Sequence, residues 1–203
     1  MNDIGRLHVI TDRLSVACAA LDAGAPVVQL RDKHCSDREL FDVVRRVVAH
    51  AGAVGGRVIV DDRVHVAVAA KADGAHVGAD DLPVAAARRV LGHGAVLGGT
   101  ARDPETAIAQ QAAGASYVGV GPVYPTSSKD GLPAPLGPAG LSRVAAAVDV
   151  PVIAISGVTA ARVPELVEAG AYGVAVISAV ASASDPAVAV TELLDAIARA
   201  VSR

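Results

Sequence analysis

The feature that most constrains the fold is a short phrase that recurs along the chain. In each copy an alanine-rich segment ends at a glycine, and a short run of β-branched residues follows. Glycine is favoured at the left-handed position after a helix, so each phrase predicts a joint between a helix and a strand. The copies are Ala23-Gly24-Ala25, Asp73-Gly74-Ala75, Ala113-Gly114-Ala115 and Ala169-Gly170-Ala171.

Further apolar runs lie between these joints, and the segments that separate the runs have helical spacing. Helix starts are predicted at Ser36, at Asp103-Pro104, at Thr159 and at Asp185-Pro186. Strands and helices that alternate in this way predict a parallel sheet covered by helices. The predicted strands are residues 7–10, 27–30, 57–60, 76–78, 95–97, 117–120, 151–155 and 173–176.

This alternation favours a closed (β/α)₈ TIM barrel over an open doubly wound sheet, because no glycine-rich dinucleotide loop follows the first strand. The chain has 203 residues and 52% hydrophobic content, so it can bury a full core. We therefore predict a single TIM-barrel domain over residues 1–203. In such a barrel the chemistry lies where the strands end and the βα loops begin.

Charge and cysteine content limit the classes of partner. The net charge is −3 and no basic run occurs, which argues against nucleic acid or an anionic membrane as a partner. The chain shows no leader pattern at its start and no apolar stretch of about 20 residues, so we expect a cytoplasmic protein. Cys18 and Cys35 are too few for a disulfide framework or a zinc site. We expect small-molecule substrates, and a homo-oligomer stays open.

A long polar loop follows the sixth predicted strand. Residues 122–137 are rich in Pro, Ser, Thr and Gly, and loops of this length are usually functional lids or disordered. Thr126, Ser128 and Lys129 supply hydroxyl groups and an ammonium group, which suit an anion better than an apolar ligand. We predict a lid that binds phosphate.

A second anion site is predicted after the second strand. Alternation along a strand puts Gln29, Arg31 and Lys33 on the same side, so one amide and two cations converge at the strand's end. A guanidinium and an ammonium together suit a phosphate or pyrophosphate. A solvated charged loop is the alternative.

Carboxylates follow the third and fourth strands, as Asp61-Asp62 and Asp80-Asp81. Neighbouring strands that end at the same rim can bring one carboxylate from each loop to a single Mg²⁺, which prefers carboxylates, waters and phosphate oxygens. The alternative for each pair is a helix N-cap.

Small residues end the other strands. Gly98-Gly99-Thr100 offers exposed backbone amides and a hydroxyl, unless it is a mere turn. Helices that open after Gly157 and after Ile177-Ser178 would form a phosphate cradle, unless these residues only allow tight packing.

The histidines give little indication of a catalytic group. His8 and His76 lie in or near strand patterns, so we expect core or rim residues. The chain has no Ser-His-Asp order and no metalloprotease motif, and it offers no obvious nucleophile or general base.

Taken in order, these motifs resemble those of the thiamine phosphate synthase family over nearly the whole chain. The resemblance implies a (β/α)₈ enzyme. It also implies a reaction that joins 4-amino-2-methyl-5-hydroxymethylpyrimidine pyrophosphate to 4-methyl-5-(2-hydroxyethyl)thiazole phosphate. The motifs are Gln29-x-Arg31-x-Lys33, Asp62-Arg63, Asp73-Gly74-Ala75-His76-Val77-Gly78-x-x-Asp81, Gly119-Val120-Gly121-Pro122-Val123-Tyr124-Pro125-Thr126-x-Ser128-Lys129, Ile155-x-Gly157-Val158 and Gly173-Val174-Ala175-Val176-Ile177-Ser178.

In that family Mg²⁺ and basic groups stabilise the leaving pyrophosphate, a pyrimidine carbocation forms, and the thiazole nitrogen captures it. No proton is removed from that nitrogen, which agrees with the lack of an obvious base. The resemblance implies that Asp62 and Asp81 hold Mg²⁺. The implied catalytic residues are Arg31, Lys33, Thr100 and Lys129. The implied substrate-binding residues are Gln29, Arg31, Lys33, Asp61, Thr100, Thr126, Ser128, Lys129, Gly157, Ile177 and Ser178.

Three positions depart from the family pattern. Asp61 replaces a usual asparagine, Ala79 a usual glutamine and Arg102 a usual histidine. A carboxylate repels pyrophosphate when ionised, so we consider the hypothesis that Arg102 compensates the charge of Asp61.

Other functions stay open at this point. These departures are compatible with a paralogue that acts on altered pyrimidine or thiazole substrates, and a barrel that binds phosphate ligands without catalysis is a further alternative. The related thiazole tautomerase has a histidine where this chain has Pro122. This chain would therefore lack the proton-transfer group of a tautomerase.

Overall fold

Eight parallel strands close into a barrel, as predicted. A computed structural model describes residues 4–126, 131 and 133–202. Each strand pairs with its neighbour in sequence, and β8 closes the barrel against β1. The prediction of a (β/α)₈ barrel is confirmed. The strands are β1 Leu7–Thr11, β2 Val27–Leu30, β3 Arg57–Asp61, β4 Gly74–Val77, β5 Val96–Ala101, β6 Tyr117–Val120, β7 Val152–Ile155 and β8 Gly173–Val176.

Helices follow the strands and cover the outside of the barrel. Ser36 and Asp103 cap their helices through the side chain, and so does Asp185, as predicted. Thr159 was predicted to act in the same way, but it precedes a 3₁₀ turn, Ala160–Arg162, and its side chain makes no capping bond. The helices are α1 Leu14–Asp22, α2 Asp37–Val54, α3 Val64–Ala70, α4 Val84–Leu91, α5 Pro104–Ala112, α6 Gly137–Ala145, α7 Val163–Glu168, α8 Ser178–Ala181 and α9 Pro186–Val201.

Three of the four predicted helix-to-strand joints have the expected backbone. Gly24, Gly114 and Gly170 adopt left-handed φ values of 90°, 98° and 95°. The prediction is wrong for Gly74, which lies inside β4, while Lys71 takes the left-handed position with φ 57°. A Cβ at Gly74 would lie 1.8 Å from the carbonyl oxygen of Val96, so the close approach of β5 explains this glycine.

The fifth strand is longer than predicted. It extends to Ala101, so Gly98 and Gly99 are paired strand residues and do not offer the free amides of a turn. A Cβ at Gly98 would lie 2.3 Å from Nδ1 of His76 and 2.3 Å from the ring of Tyr117. The glycine is therefore required by large side chains that enter the barrel from β4 and β6.

Apolar residues pack in two places. The larger cluster fills the layer between the strands and the helices. The smaller cluster lies inside the barrel and includes Ile10, Ile59, Tyr117 and Ile153. No helix in the described part of the chain is long and apolar enough to cross a membrane.

Candidate active site

A cavity of about 210 Å³ opens at the carboxyl ends of the strands and reaches into the barrel. All the predicted site residues that the structure describes border this one cavity. Ser128 and Lys129 lie outside the described residues, so their roles stay predictions. The residues brought together are Gln29, Arg31, Lys33, Asp61, Asp62, Asp81, Thr100, Thr126, Gly157, Ile177 and Ser178.

The buried carboxylate of Asp61 joins the ends of β2 and β3. Gln29 Nε2 donates to Asp61 Oδ1 at 2.7 Å, and Arg31 Nε lies 3.0 Å from Asp61 Oδ2. Both partners are donors, and an ionised carboxylate has only acceptor atoms, so the chemical match is complete. Burial, together with the neighbouring charge of Asp62, raises the pKa of Asp61 to about 7, and the nearby Arg31 opposes that rise.

Arg102 has a different partner. Its Nη2 donates to the carbonyl oxygen of Ala134 at 3.0 Å, whereas Asp61 pairs with Arg31. The hypothesis that Arg102 compensates Asp61 is therefore not supported. The compensating cation is Arg31, which the register of the neighbouring strands β2 and β3 brings to Asp61.

Two carboxylates, those of Asp62 and Asp81, lie at the mouth of the cavity beside Lys33. Lys33 Nζ lies 2.7 Å from Asp62 Oδ2, and Asp81 Oδ2 accepts from the backbone N–H of Gly78 at 2.8 Å. Burial acts to raise the pKa of Asp62, but hydrogen bonds with Asp81 and Lys33 leave it below its usual range. Burial and the contact with Asp62 raise the pKa of Asp81. A single negative charge on this pair of carboxyl groups is therefore more favourable than a negative charge on each of them.

This acidic pair fits a small divalent cation. Two carboxylates in contact oppose each other's ionisation, and a cation between them removes that opposition. Mg²⁺ is usually held by one or two carboxylates and completes its shell with waters and phosphate oxygens. Within the described residues no cluster of three or more His, Cys, Asp or Glu could hold a metal. The ligands that the protein would supply to Mg²⁺ are therefore these two carboxylates.

The alternative explanation of these aspartates as helix caps does not apply. The N-cap of α3 is Arg63 and that of α4 is Pro83, and neither helix start has a side-chain capping bond. Asp62 itself has a φ of 62°, which is uncommon for a residue with a side chain. Strained backbone of this kind concentrates at functional sites.

Polar side chains form the floor of the cavity, and the sequence does not predict the contacts between them. His76 Nε2 lies 3.0 Å from Thr100 Oγ1, and His76 Nδ1 lies 3.1 Å from the hydroxyl of Tyr117. His8 packs edge-on against the Tyr117 ring at 5.1 Å. Burial lowers the pKa values of both histidines to about 4, so both are neutral near pH 7.

The prediction that His8 and His76 are core or rim residues is confirmed: His8 is buried, His76 is partly buried, and both border the cavity. Alternation within β4 and β5 could have placed His76 and Thr100 on the inner face of the barrel. It could not have shown that their side chains meet.

The residues of the predicted phosphate cradle border the same cavity, across its mouth from Arg31 and Lys33. Gly157 has a φ of 66°, and a Cβ there would lie 2.7 Å from the carbonyl oxygen of Pro125 and 2.7 Å from Cβ of Tyr124. The start of the long loop therefore packs directly on the loop after β7. Ser178 begins α8 and borders the same cavity, next to Ile177.

The fold and the site define the class of protein. It is a TIM-barrel enzyme in which basic side chains, a pair of carboxylates and small residues at the strand ends surround one cavity. A family model described as thiamine monophosphate synthase matches residues 6–180. The chain belongs to this family and is a transferase of the thiamine-phosphate synthase type.

Comparison with individual proteins gives the same family. The chain is 56% identical to a thiamine-phosphate synthase of Salinispora arenicola, with 97% of this chain and 99% of the relative covered. A thiamine-phosphate synthase of Salinispora tropica is also 56% identical, with the same shares covered. Among solved structures, a thiamine phosphate pyrophosphorylase from Pyrococcus furiosus matches with a TM-score of 0.89 and 31% identity, covering 97% of this chain and 96% of that one.

Proposed function

We propose that this enzyme joins 4-amino-2-methyl-5-hydroxymethylpyrimidine pyrophosphate to 4-methyl-5-(2-hydroxyethyl)thiazole phosphate and releases pyrophosphate. The observation that carries the proposal is the arrangement of one cavity, in which Arg31 and Lys33 lie beside the carboxylates of Asp62 and Asp81. Two cations beside an acidic pair suit a polyanion that arrives with a divalent metal. Family membership supports the same reaction.

The proposed chemistry requires a stabilised leaving group and no general base. Arg31 and Lys33 would neutralise the charge that develops on the pyrophosphate as the carbon–oxygen bond breaks. The pyrimidine carbocation would then be captured by the lone pair of the thiazole nitrogen, which carries no proton. The two histidines that border the cavity in the described part of the chain have pKa values lowered to about 4, so they are weak bases, which agrees with chemistry that needs no proton transfer.

Asp62 and Asp81 would hold Mg²⁺, which supplies positive charge to the leaving pyrophosphate. Gln29 and Thr100 lie deeper in the cavity and would meet the pyrimidine ring. The thiazole phosphate would bind across the cavity mouth, at Gly157, Ile177 and Ser178. In this proposal Thr126, Ser128 and Lys129 would close the site from the lid.

One assay tests the proposal. Both substrates are mixed with the enzyme and Mg²⁺, and thiamine phosphate and pyrophosphate are measured as products in equal amounts. Asp62→Asn and Asp81→Asn should each lower kcat/KM by about a hundredfold or more, because each removes a charge from the metal site. Asp42→Asn is the matched control, since Asp42 pairs with Arg38 on the exposed surface of α2.

Absence of product, under conditions where the Salinispora arenicola relative turns over, would refute the proposal. A panel of pyrimidine and thiazole analogues distinguishes a paralogue with altered substrates. Product from an analogue alone would replace the proposed substrates and leave the class of reaction in place.

A further inference from the structure

Arg63 follows Asp62 directly, but its side chain turns away from the cavity toward the loop between β2 and α2. Its Nη2 donates to the carbonyl oxygens of Asp32 at 3.1 Å and of Cys35 at 2.8 Å. Its Nη1 lies 3.2 Å from a carboxylate oxygen of Asp37 at the start of α2. The side chain is largely buried, with 20% of its surface exposed. One guanidinium therefore connects the end of β3 to two carbonyl groups of a neighbouring loop and to the first residue of α2.

Other contacts hold the two ends of the loop that Arg63 binds: the N–H of Arg31 donates to the carbonyl oxygen of Thr11 at 3.0 Å, and Ser36 caps α2. Between these ends, residues 32–35 form neither helix nor strand, so their carbonyl groups have no place in a regular hydrogen-bond ladder. The Asp32 carboxylate accepts from the N–H groups of His34 and Cys35 at 2.8 and 3.1 Å, which makes a local turn. Arg63 connects the backbone of that turn to the end of β3, in addition to the ion pairs of Arg31 with Asp61 and of Lys33 with Asp62. The planar guanidinium donates to both carbonyls through Nη2 while Nη1 faces Asp37, and a lysine ammonium on a flexible stem would hold these groups less well.

The same loop carries the cations of the proposed pyrophosphate site. Arg31 and Lys33 lie on either side of Asp32, whose carbonyl Arg63 holds. Lys33 is also held by Asp62 at 2.7 Å, but Asp62 is a proposed metal ligand. The bonds from Nη2 of Arg63 go to backbone carbonyls, and Asp37, the carboxylate beside Nη1, does not border the cavity, so these contacts do not compete with a metal or with pyrophosphate.

We propose that Arg63 is a positioning residue that holds the loop of residues 31–36 in the conformation in which Arg31 and Lys33 receive the pyrophosphate group. This inference rests on the proposed function. Because binding energy is lost when a cationic site must be ordered as the ligand binds, loss of Arg63 should weaken the pyrophosphate-bearing substrate selectively. The proposed thiazole phosphate site lies across the cavity mouth, so the affinity for thiazole phosphate should change little.

The test compares Arg63→Gln and Arg63→Lys with the control Arg57→Gln. Arg57 begins the same strand but lies at the opposite end of the barrel, near Asp73 at 4.0 Å. Arg63→Gln should raise KM for the pyrimidine pyrophosphate by about tenfold and change KM for the thiazole phosphate by less than about twofold. Arg63→Lys should give an intermediate effect, and Arg57→Gln should match the parent protein.

Calorimetric titration with inorganic pyrophosphate, with Mg²⁺ present, gives a second readout that does not need turnover. Binding should weaken by about tenfold in Arg63→Gln and stay unchanged in Arg57→Gln. Hydrogen exchange at the amides of residues 31–36 should be faster only in the Arg63 variants. Arg63→Lys retains the charge and serves as the test variant if the glutamine variant does not fold.

An equal rise of both KM values, or unchanged pyrophosphate binding in the Arg63 variants, would overturn the inference, as would a parent protein that binds no pyrophosphate. A parent protein that binds pyrophosphate more tightly than the Arg63 variants but forms no thiamine phosphate would refute the proposed function and leave the positioning role of Arg63 in place.

Discussion

At the scale of single residues, Asp61 shows how one side chain serves two partners. Gln29 donates to its carboxylate and Arg31 forms an ion pair with it, and Asp61 is 8% exposed. An asparagine in its place would offer one acceptor oxygen and one donor group, so Gln29 or Arg31 would lose an acceptor. The departure from the family pattern is therefore matched to neighbours within the site. Arg102 takes no part in that match, because it donates to Ala134.

This assignment predicts that substitutions at Asp61 and Arg102 act independently. Asp61→Asn should lower kcat/KM for the pyrimidine pyrophosphate by about tenfold, since one buried donor is left without an acceptor. Adding Arg102→His should contribute its own effect, with a coupling free energy below about 0.5 kcal/mol. A double-mutant cycle of the steady-state kinetics measures this coupling.

The cycle that pairs Asp61→Asn with Arg31→Gln is the positive control, because those side chains touch and their effects should not add. A coupling above about 1 kcal/mol between positions 61 and 102 would contradict the assignment of partners.

At the scale of elements, β5 shows why small residues occur inside a barrel. Gly98 in this strand leaves room for side chains from β4 and β6, and that room brings His76 within reach of both Thr100 and Tyr117. The polar floor of the cavity therefore depends on a strand that contributes little bulk of its own.

We predict opposite effects for two Gly→Ala substitutions. Gly98→Ala should lower the free energy of unfolding by about 2 kcal/mol or more, because the new Cβ would lie 2.3 Å from His76 Nδ1. Gly52→Ala lies in α2 with nothing within 4 Å of the new Cβ, and it should raise that free energy by roughly 0.5–1 kcal/mol through helix propensity. Urea unfolding followed by circular dichroism measures both changes. Equal stability of the Gly98→Ala variant and the parent would contradict the packing described for β5.

At the scale of the whole molecule, two neutral histidines inside the barrel couple folding to pH. Burial lowers the pKa values of His8 and His76 from 6.5 to about 4 in the folded protein. Between these values the unfolded chain binds protons that the folded chain does not. The stability that the neutral histidines allow is therefore complete above about pH 6.5 and is lost as the pH falls toward 4.

This linkage predicts a steep acid limb in the plot of unfolding free energy against pH. Each histidine should account for up to about 3 kcal/mol across the window. His76→Gln should make the limb shallower, and a His8→Gln/His76→Gln double variant should make it shallower still. Urea unfolding at a series of pH values gives the slopes, and parallel curves for the parent and the variants would contradict the assignment.

Local periodicity and capping residues were sufficient to predict the barrel, most strand bounds and the helix starts at Ser36, Asp103 and Asp185. Because parallel strands all end at one rim, strand-end side chains could be assigned to a single site before any contact was known. Every predicted site residue that the structure describes borders that one cavity.

Contacts between strands were beyond the sequence. Tertiary structure decided that Asp61 pairs with Arg31, that His76 meets Thr100 and Tyr117, and that Gly74 accommodates β5. These outcomes depend on side chains that are distant along the chain and on the register of neighbouring strands. A local pattern specifies the face on which a residue lies. Its partner is specified by the packing of the whole barrel, which only the folded molecule contains.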